Sequence, residues 1–256
     1  MKLNSILKII VLCCLPALAA QEQRKEYLIV NYLQVAPSLS GDDFVAAERL
    51  RQRLHRKAAD QHLCRGWFLY RVEGGDPGRY VAAELHSSLD THAKGRPASL
   101  SEGLFTAEEV AQMNRADSQR ELLRTEIWEI TKSAKLRRGA GNPVKLDIQF
   151  FAAMKGREAD YLQLEEQVTR KTQQARIDAG QAQSWMLFRR LAPAGSEVGH
   201  NYITFTGYHE REANEEFEPT GLSAAEQEEL RKAGDVRTRV SRERWIPLMH
   251  VLAPKK

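Results

Sequence analysis

The chain has 256 residues, and its 38 Lys and Arg stand against 34 Asp and Glu, which gives a formal net charge of +4. Basic and acidic residues are interspersed, whereas a nucleic-acid-binding protein usually has a clustered basic surface, so we expect no nucleic-acid partner. The length allows one large domain or two small ones. After the first twenty residues, no apolar run is long enough to span a bilayer.

Residues 1–20 have the order of a secretory signal peptide: two lysines, a short apolar run at Ile9–Leu15 and small residues at Ala17–Ala19. We therefore expect an exported protein, periplasmic or secreted. Two cysteines late in this segment leave a lipoprotein as an alternative. It is the weaker one because a lipoprotein signal has a small residue just before the cysteine, whereas Leu12 is large. After removal of the signal the chain keeps one cysteine, Cys64, which we interpret as a small buried apolar side chain rather than a reactive thiol.

An internal repeat organises the rest of the chain. The stretch GWFLYRV at Gly66–Val72 returns as SWMLFRR at Ser184–Arg190, and Trp185 follows Trp67 by 118 positions. Such a repeat predicts two copies of one structural unit. We place the first at residues 21–134 and the second at 144–256, with a Gly- and basic-rich linker at 135–143.

The predicted elements follow the same order in each copy. A first strand is predicted at Tyr27–Val35 and at Lys145–Ala153, both rich in β-forming residues. A helix follows, because apolar residues then recur every three or four positions. The residues of this stripe are Phe44, Ala47, Leu50, Leu54 and Ala58 in the first copy, and Tyr161, Leu164, Val168, Thr172 and Ala175 in the second.

The second part of each copy begins with two strands. They are joined by a Gly-Pro turn at Gly74–Gly78 in the first copy and by a longer connection at Ala192–Asn201 in the second. Capping-box patterns at Thr106–Glu109 and Ser223–Glu226 then predict a second helix. A last strand carries a tryptophan in both copies.

The resulting order, β-α-β-β-α-β twice, is that of two tandem ferredoxin-like units of the α+β class. In this order and repeat length the chain resembles the dimeric α/β-barrel superfamily, which includes antibiotic-biosynthesis monooxygenase-like, EthD-like and NIPSNAP-like domains. The resemblance covers nearly all of the mature chain. It implies that the two sheets pair face to face as an intramolecular dimeric α/β barrel, so that a monomer is complete.

Alternation along the strands suggests which residues face the lumen of such a barrel. The apolar pairs Phe68/Met186 and Tyr70/Phe188 are expected under the helices, which leaves the alternate positions for the lumen. The predicted lumen residues are Asn31, Trp67, Arg71, Tyr80, Glu84, His86, Gln149, Trp185, Arg189, Tyr202, Thr206 and Tyr208. Aromatic and polar groups of this kind are typical of ligand sites, and some monooxygenase-like members of the superfamily line their cavity with Asn, Trp, Tyr and Arg. The alternative is that these residues simply fill the interface between the halves.

Two repeated features are harder to place. A Glu-x-Trp motif at Glu126–Trp128 and Glu243–Trp245 lies either in the lumen or at the contact between the sheet edges. Glu48 and Glu166 recur at one helix position, where the usual arrangement is a solvated face with i,i+4 pairs.

No cofactor or metal is expected. His86, Asp90 and His92 are close in sequence, but the second copy offers only His209 nearby, so we interpret them as surface residues. Any histidine could in principle bind haem, and none is distinguished by its context. The chain has neither a phosphate-binding glycine loop nor a nucleophile elbow.

Three functions remain. The preferred one is an exported protein that binds a small molecule in the barrel lumen without catalysis. The second is a cofactor-independent monooxygenase-like or isomerase-like enzyme acting on an aromatic compound. The third is a structural module with a packed lumen.

Overall fold

The structure is a computed structural model that describes residues 25–74, 76–93, 96–134, 143–193, 199–209 and 222–254. The predicted signal peptide and most of the linker lie outside the described residues. The strands are β1 (Tyr27–Val35), β2 (Gly66–Glu73), β3 (Arg79–His86), β4 (Arg120–Ser133), β5 (Lys145–Ala153), β6 (Ser184–Ala192), β7 (Tyr202–Tyr208) and β8 (Arg237–Leu252).

Helices connect these strands in the order that the sequence predicts. They are α1 (Gly41–Asp60), α2 (Leu89–Ala93), α3 (Ala107–Ser118), α4 (Glu158–Leu164), α5 (Arg170–Asp178) and α6 (Ala224–Arg231). A π-helical turn at Glu165–Thr169 joins α4 to α5, and short 3-10 helices occupy Ala98–Leu100 and Lys232–Asp235. In the described part of the chain, no helix is long and apolar enough to cross a membrane.

The eight strands form one antiparallel sheet that closes into a barrel in the order β1-β3-β2-β8-β5-β7-β6-β4. The first four strands are neighbours, and so are the last four. The two groups meet along β2 with β8, where Trp67 lies opposite Val251, and along β4 with β6, where Glu129 lies opposite Arg189. The predicted α+β class is therefore confirmed.

The predicted caps and turn also form. Both capping boxes, Thr106–Glu109 and Ser223–Glu226, have their reciprocal hydrogen bonds. The glutamate of each box also pairs at 2.6 Å with a basic residue of an earlier helix, Arg53 of α1 in one half and Lys171 of α5 in the other. In the β2–β3 turn, Gly78 has a φ of +82°, and an added Cβ would lie 2.8 Å from a backbone carbonyl oxygen, so only glycine fits there.

A π-helical turn changes which glutamate is buried in the second half. Glu48 of α1 is buried and pairs with Arg120 at the start of β4. In the second half the buried carboxylate is Glu165, which pairs with Arg237 at the start of β8. A π-helical turn contains one residue more than an α-helical turn, which shifts Glu166 to the exposed surface. The predicted solvated face is therefore wrong for Glu48.

Three apolar clusters define the layers of the molecule. One packs α1 against the outer face of β1, β2 and β3 and the end of β8, and a second packs α4 and α5 against the outer face of β5, β6 and β7. The third contains residues of all eight strands and lies in the lumen. The lumen cluster includes Val30, Tyr32, Tyr70, Val81, Trp128, Ile148, Phe150, Phe188, Ile203 and Trp245.

This arrangement inverts the predicted faces of the first three strands in each half. Phe68 and Tyr70 face the lumen, whereas Trp67 and Leu69 pack under α1. The alternation itself is correct. Its direction is wrong because large apolar side chains occur in both sets of alternate positions, as with Trp67 and Phe68, so either orientation buries large apolar side chains.

Candidate ligand cavity in the barrel lumen

The lumen contains a cavity of about 370 Å³ at the end where β1, β2, β5 and β6 begin. Its wall is mostly apolar, and each of the eight strands contributes to it. One lining residue from each strand, in chain order, is Leu28, Phe68, Leu85, Ile130, Leu146, Met186, Phe205 and Pro247. Cavities of this size and lining are typical of small-molecule sites, which span roughly 300–1,000 Å³.

Aromatic rings close the inner end of the cavity. Tyr70 and Phe205 line it, and behind them lies the fully buried Trp245, whose ring centroid is 5.5 Å from that of Tyr70 and 5.3 Å from that of Phe205. The indole Nε1 of Trp245 donates a hydrogen bond of 2.8 Å to Glu243. Burial raises the pKa of the Tyr70 phenol, so this wall of the cavity is neutral.

Beyond Trp245, the other end of the lumen is polar. Glu126 is fully buried, with Oε1 3.3 Å from His200 Nε2 and 3.2 Å from Arg124 Nε. The Arg124 guanidinium lies over the Tyr32 ring at 3.7 Å. Burial acts to raise the pKa of Glu126, but His200, Arg124 and Tyr32 outweigh it and lower the pKa below the ordinary value. The carboxylate is therefore held ionised.

The repeated Glu-x-Trp motif belongs to the lumen rather than to a contact between sheet edges. Trp128 and Trp245 are both in the lumen cluster. Trp128 stacks parallel to His200 at 5.8 Å, and its Nε1 has no hydrogen-bond partner among the described residues. The repetition of this motif was the sequence signal that could have identified the lumen-facing side of the strands.

The charged and exposed polar groups of the lining mark the cavity mouth. Glu26, which is half-buried, and His250 lie there, whereas Gln183 and Ser184 are buried members of the lining. His250 is exposed, and it is the one histidine among the described residues that line the cavity. A single exposed imidazole at the rim does not form an enclosed axial-ligand site, so the cavity residues do not fit a haem.

The two walls of the cavity differ. Leu85 of β3 projects into the cavity from the first half, and Gly207 occupies the corresponding position of β7 in the second half. A Cβ at Gly207 would lie 2.5 Å from Ser184 Oγ and 3.1 Å from Pro143 Cβ. The close approach of these two side chains therefore excludes a larger residue on that wall.

The twelve residues predicted for the lumen all lie on the outer face of the barrel. Trp67 and Tyr80 pack under α1, where Trp67 stacks on His55 with ring centroids 4.2 Å apart. Trp185, Tyr202 and Tyr208 belong to the cluster under α4 and α5. These five are core residues between sheet and helices, so their predicted place in the lumen is wrong.

The polar members of the predicted set are on the same outer face and do not form one site. Arg71 is exposed, and Arg189 pairs with Glu129. Asn31 accepts a hydrogen bond from Thr125, Gln149 donates one to Asp147, and Thr206 lies opposite Trp185. Only two of them are brought together: His86 Nε2 lies 3.2 Å from Glu84 Oε2.

Solved structures with this fold cover most of the chain at low sequence identity. A proposed monooxygenase from Fusobacterium nucleatum aligns over 90% of this chain and 95% of its own, with a TM-score of 0.54 and 8% identity. An anthrone oxidase-like protein aligns over 91% and 95%, with a TM-score of 0.51 and 12% identity. A proposed chlorite dismutase aligns over 88% and 95%, with a TM-score of 0.51 and 10% identity.

These likenesses establish the fold alone. The chain has the α/β-barrel fold of monooxygenase-like and chlorite dismutase-like proteins, in agreement with the superfamily that the sequence resembles. No protein-family model matches the chain, and no curated protein matches it.

Proposed function

We propose that this protein is an exported barrel that binds one small, mainly apolar molecule in its lumen and does not catalyse a reaction. The observation that carries the proposal is the apolar cavity of about 370 Å³, whose wall is built by all eight strands. A wall of this kind belongs to the frame of the fold rather than to a loop, so the site is preformed.

The lining indicates the class of ligand. Phe68, Tyr70, Phe188 and Phe205 supply aromatic rings, which bind flat apolar molecules by offset or edge contacts. Among the polar lining residues, Glu26 and His250 lie at the mouth. A ligand with an apolar ring system inside and one polar end at the mouth would satisfy both parts of the site.

The proposal includes a tandem architecture in which both halves of one barrel come from a single chain. It is supported by the equivalent capping boxes, by the equivalent ion pairs of Arg53 and Lys171, and by the strand ladders between β2 and β8 and between β4 and β6. Residues 21–134 and 144–256 would be the two repeats. We therefore expect a monomer in solution.

Export is supported by the sequence of residues 1–20. Lys2, the apolar run at Ile9–Leu15 and the small residues at Ala17–Ala19 have the order of a secretory signal. The binding site would accordingly operate in the periplasm or outside the cell, on a ligand met there.

The two alternatives fit the lumen less well. General-base catalysis needs a proton acceptor within hydrogen-bond reach of the ligand. Among the described residues that line the cavity, the groups that could accept a proton are Glu26 and His250, both at the mouth rather than beside the apolar interior, and Glu126 lies beyond Trp245. A purely structural module would have a packed lumen, and a cavity of about 370 Å³ disagrees with that.

Native mass spectrometry of mature protein purified from its own host, compared with the denatured mass, tests the proposal. We expect a reproducible small-molecule adduct at one per chain. Leu85→Trp, which fills the cavity from β3, should abolish the adduct, whereas Leu122→Trp, at an exposed position of β4, should keep it. A second assay adds a hydrophobic fluorophore, whose uptake by the wild type should be blocked by Leu85→Trp. The binding function would be refuted if the wild type had a bare mass and also showed no such uptake.

A further inference from the structure

A cluster of metal-binding side chains lies on the outer face of the first half, away from the lumen. Glu84 and His86 share the outer face of β3, and His92 belongs to α2, which follows β3 closely. One potential ligand atom from each lies within 4.8 Å of the others. Two imidazoles and a carboxylate form a donor set that suits Zn²⁺ and neighbouring transition-metal ions.

Glu84 is oriented by groups on its other side. Arg96 donates a hydrogen bond to Glu84 Oε1 and also contacts His55 Nδ1 at 2.7 Å, while Glu84 Oε2 is left facing His86. The hydrogen bond from Arg96 fixes one carboxylate oxygen of Glu84, so the other oxygen is directed at the histidine.

His86 is buried beside a second imidazole. It is only 3% exposed, and its Nε2 faces Glu84, so Nε2 is the atom that would bind an ion. Its Nδ1, which has no hydrogen-bond partner among the described residues, would then carry the proton. The ring of His92 lies edge-on at a centroid distance of 5.3 Å, which places a second imidazole next to Glu84 and His86.

The spacing of Glu84 and His86 already fits a coordination sphere. A tetrahedral site with metal–ligand distances of about 2.0–2.1 Å has ligand atoms about 3.3 Å apart, and His86 Nε2 lies 3.2 Å from Glu84 Oε2. His92 is exposed on a helix of five residues, so a small adjustment of its side chain could complete the set.

We propose that Glu84, His86 and His92 bind one divalent transition-metal ion of the zinc class, with at least one coordination position left to water. Three protein ligands with an open fourth position are the usual arrangement of reactive zinc sites. The sequence alone predicts no metal because the second copy offers only His209 near the equivalent position, and it groups the histidines with Asp90, whereas the fold brings Glu84 to them.

The second half serves as an internal comparison. Trp185 pairs with Thr206 across the sheet as Trp67 pairs with Glu84, so Thr206 and Tyr208 take the places of Glu84 and His86. Neither of those side chains is a usual zinc ligand. The expected stoichiometry is therefore one ion per chain, not two.

Isothermal titration of untagged, chelator-treated protein with ZnCl₂ at neutral pH tests the proposal. We expect saturable binding of one ion per chain, weakened roughly tenfold or more by His92→Ala and by Glu84→Gln. His62→Asn is the matched control, because it removes an exposed histidine outside the cluster from a backbone with a φ of 57° that asparagine tolerates.

A spectroscopic readout separates a built site from adventitious binding. Co²⁺ should give the ligand-field absorption of a low-symmetry complex with the wild type and the His62→Asn variant, and not with His92→Ala. Circular dichroism checks that the variants are folded. We expect His92→Ala to fold because His92 is exposed. Failure of Zn²⁺ to bind saturably, or equal affinity in His92→Ala, would overturn the proposal and indicate an adventitious ion only.

Discussion

The two tryptophans of the lumen allow the same Trp→Phe substitution to be made at two equivalent positions, one of which serves as the control for the other. Trp128 and Trp245 occupy equivalent positions, and both are fully buried. Trp245 Nε1 donates to Glu243 at 2.8 Å, whereas Trp128 Nε1 has no hydrogen-bond partner among the described residues. A Trp→Phe change therefore removes a hydrogen bond at one position and only packing at the other.

The expected magnitudes follow from these contacts. Exchanging tryptophan for phenylalanine removes about 50 Å² of buried apolar surface, which at ~25 cal/mol per Å² and with a small cavity term costs about 1–2 kcal/mol of unfolding free energy. Trp245→Phe loses in addition a hydrogen bond to a charged group, about 1.5–3 kcal/mol. Glu243 is partly exposed and can rehydrate, so the lower end applies. We expect Trp245→Phe to cost about 1.5 kcal/mol more than Trp128→Phe.

Urea unfolding at pH 7 measures this difference, provided that the slope of free energy against urea is the same for both variants. A double-mutant cycle with Glu243→Gln assigns the extra cost to the hydrogen bond, because the Glu243 change should matter less once Trp245 is phenylalanine. Equal costs for the two tryptophans, or a greater cost at Trp128, would refute the reasoning.

Further predictions concern buried charges and the thiol. Burial acts to raise the pKa of Glu126, but its neighbours hold the pKa below 4.5. The stabilising contribution of the carboxylate is therefore complete above about pH 4.5 and is lost as the pH falls below that value. Urea midpoints measured from pH 7 to 3 should fall less steeply for Glu126→Gln than for the wild type, and parallel curves would contradict this. Burial, followed by a neighbouring guanidinium, lowers the pKa of His55 from 6.5 to about 3, so the folded state loses up to about 1.4 kcal/mol per pH unit below pH 6.5; His55→Gln should remove that slope from the same titration. Arg237→Met leaves the Glu165 carboxylate buried and should cost about 3–5 kcal/mol; combining it with Glu165→Met should recover most of the loss in urea unfolding, and no recovery would show that the ion pair is not the cause. Burial raises the pKa of Cys64 to about 11, so iodoacetamide at pH 8 should label the native thiol slowly and the urea-unfolded thiol quickly by mass spectrometry; equal rates would contradict the buried position.

The sequence carries the order of elements because those signals are local. The apolar stripe of α1, the glycines of the β2–β3 turn and the capping boxes at Thr106 and Ser223 each depend on residues close together in the chain. The burial of Cys64 is also as predicted, since the thiol lies in the cluster under α1. Local hydrogen bonding and periodicity are enough for these features.

The site could not be predicted in the same way, because the direction of a strand's two faces is a property of the closed barrel. Trp67 and Phe68 are both large and apolar, and only the position of α1 decides that Trp67 lies outside. The pairing of Glu84 with Arg96 is likewise tertiary. The register shift at Glu165 depends on a single extra residue in a π-helical turn, which the repeat offset in the sequence does not reveal.

The proposed tandem architecture, in which one chain supplies both halves of the barrel, has a consequence for the proposed ligand. Rotation about the barrel axis relates β1 to β5 and β3 to β7, so two identical chains would place the same residue on opposite walls of the lumen. Here Leu85 faces a wall that carries Gly207, and Tyr32 is matched by Phe150. A symmetric lumen would suit a symmetric guest or bind an asymmetric one in two equivalent orientations. The unequal walls of this barrel select one rotational orientation of the proposed ligand about the barrel axis.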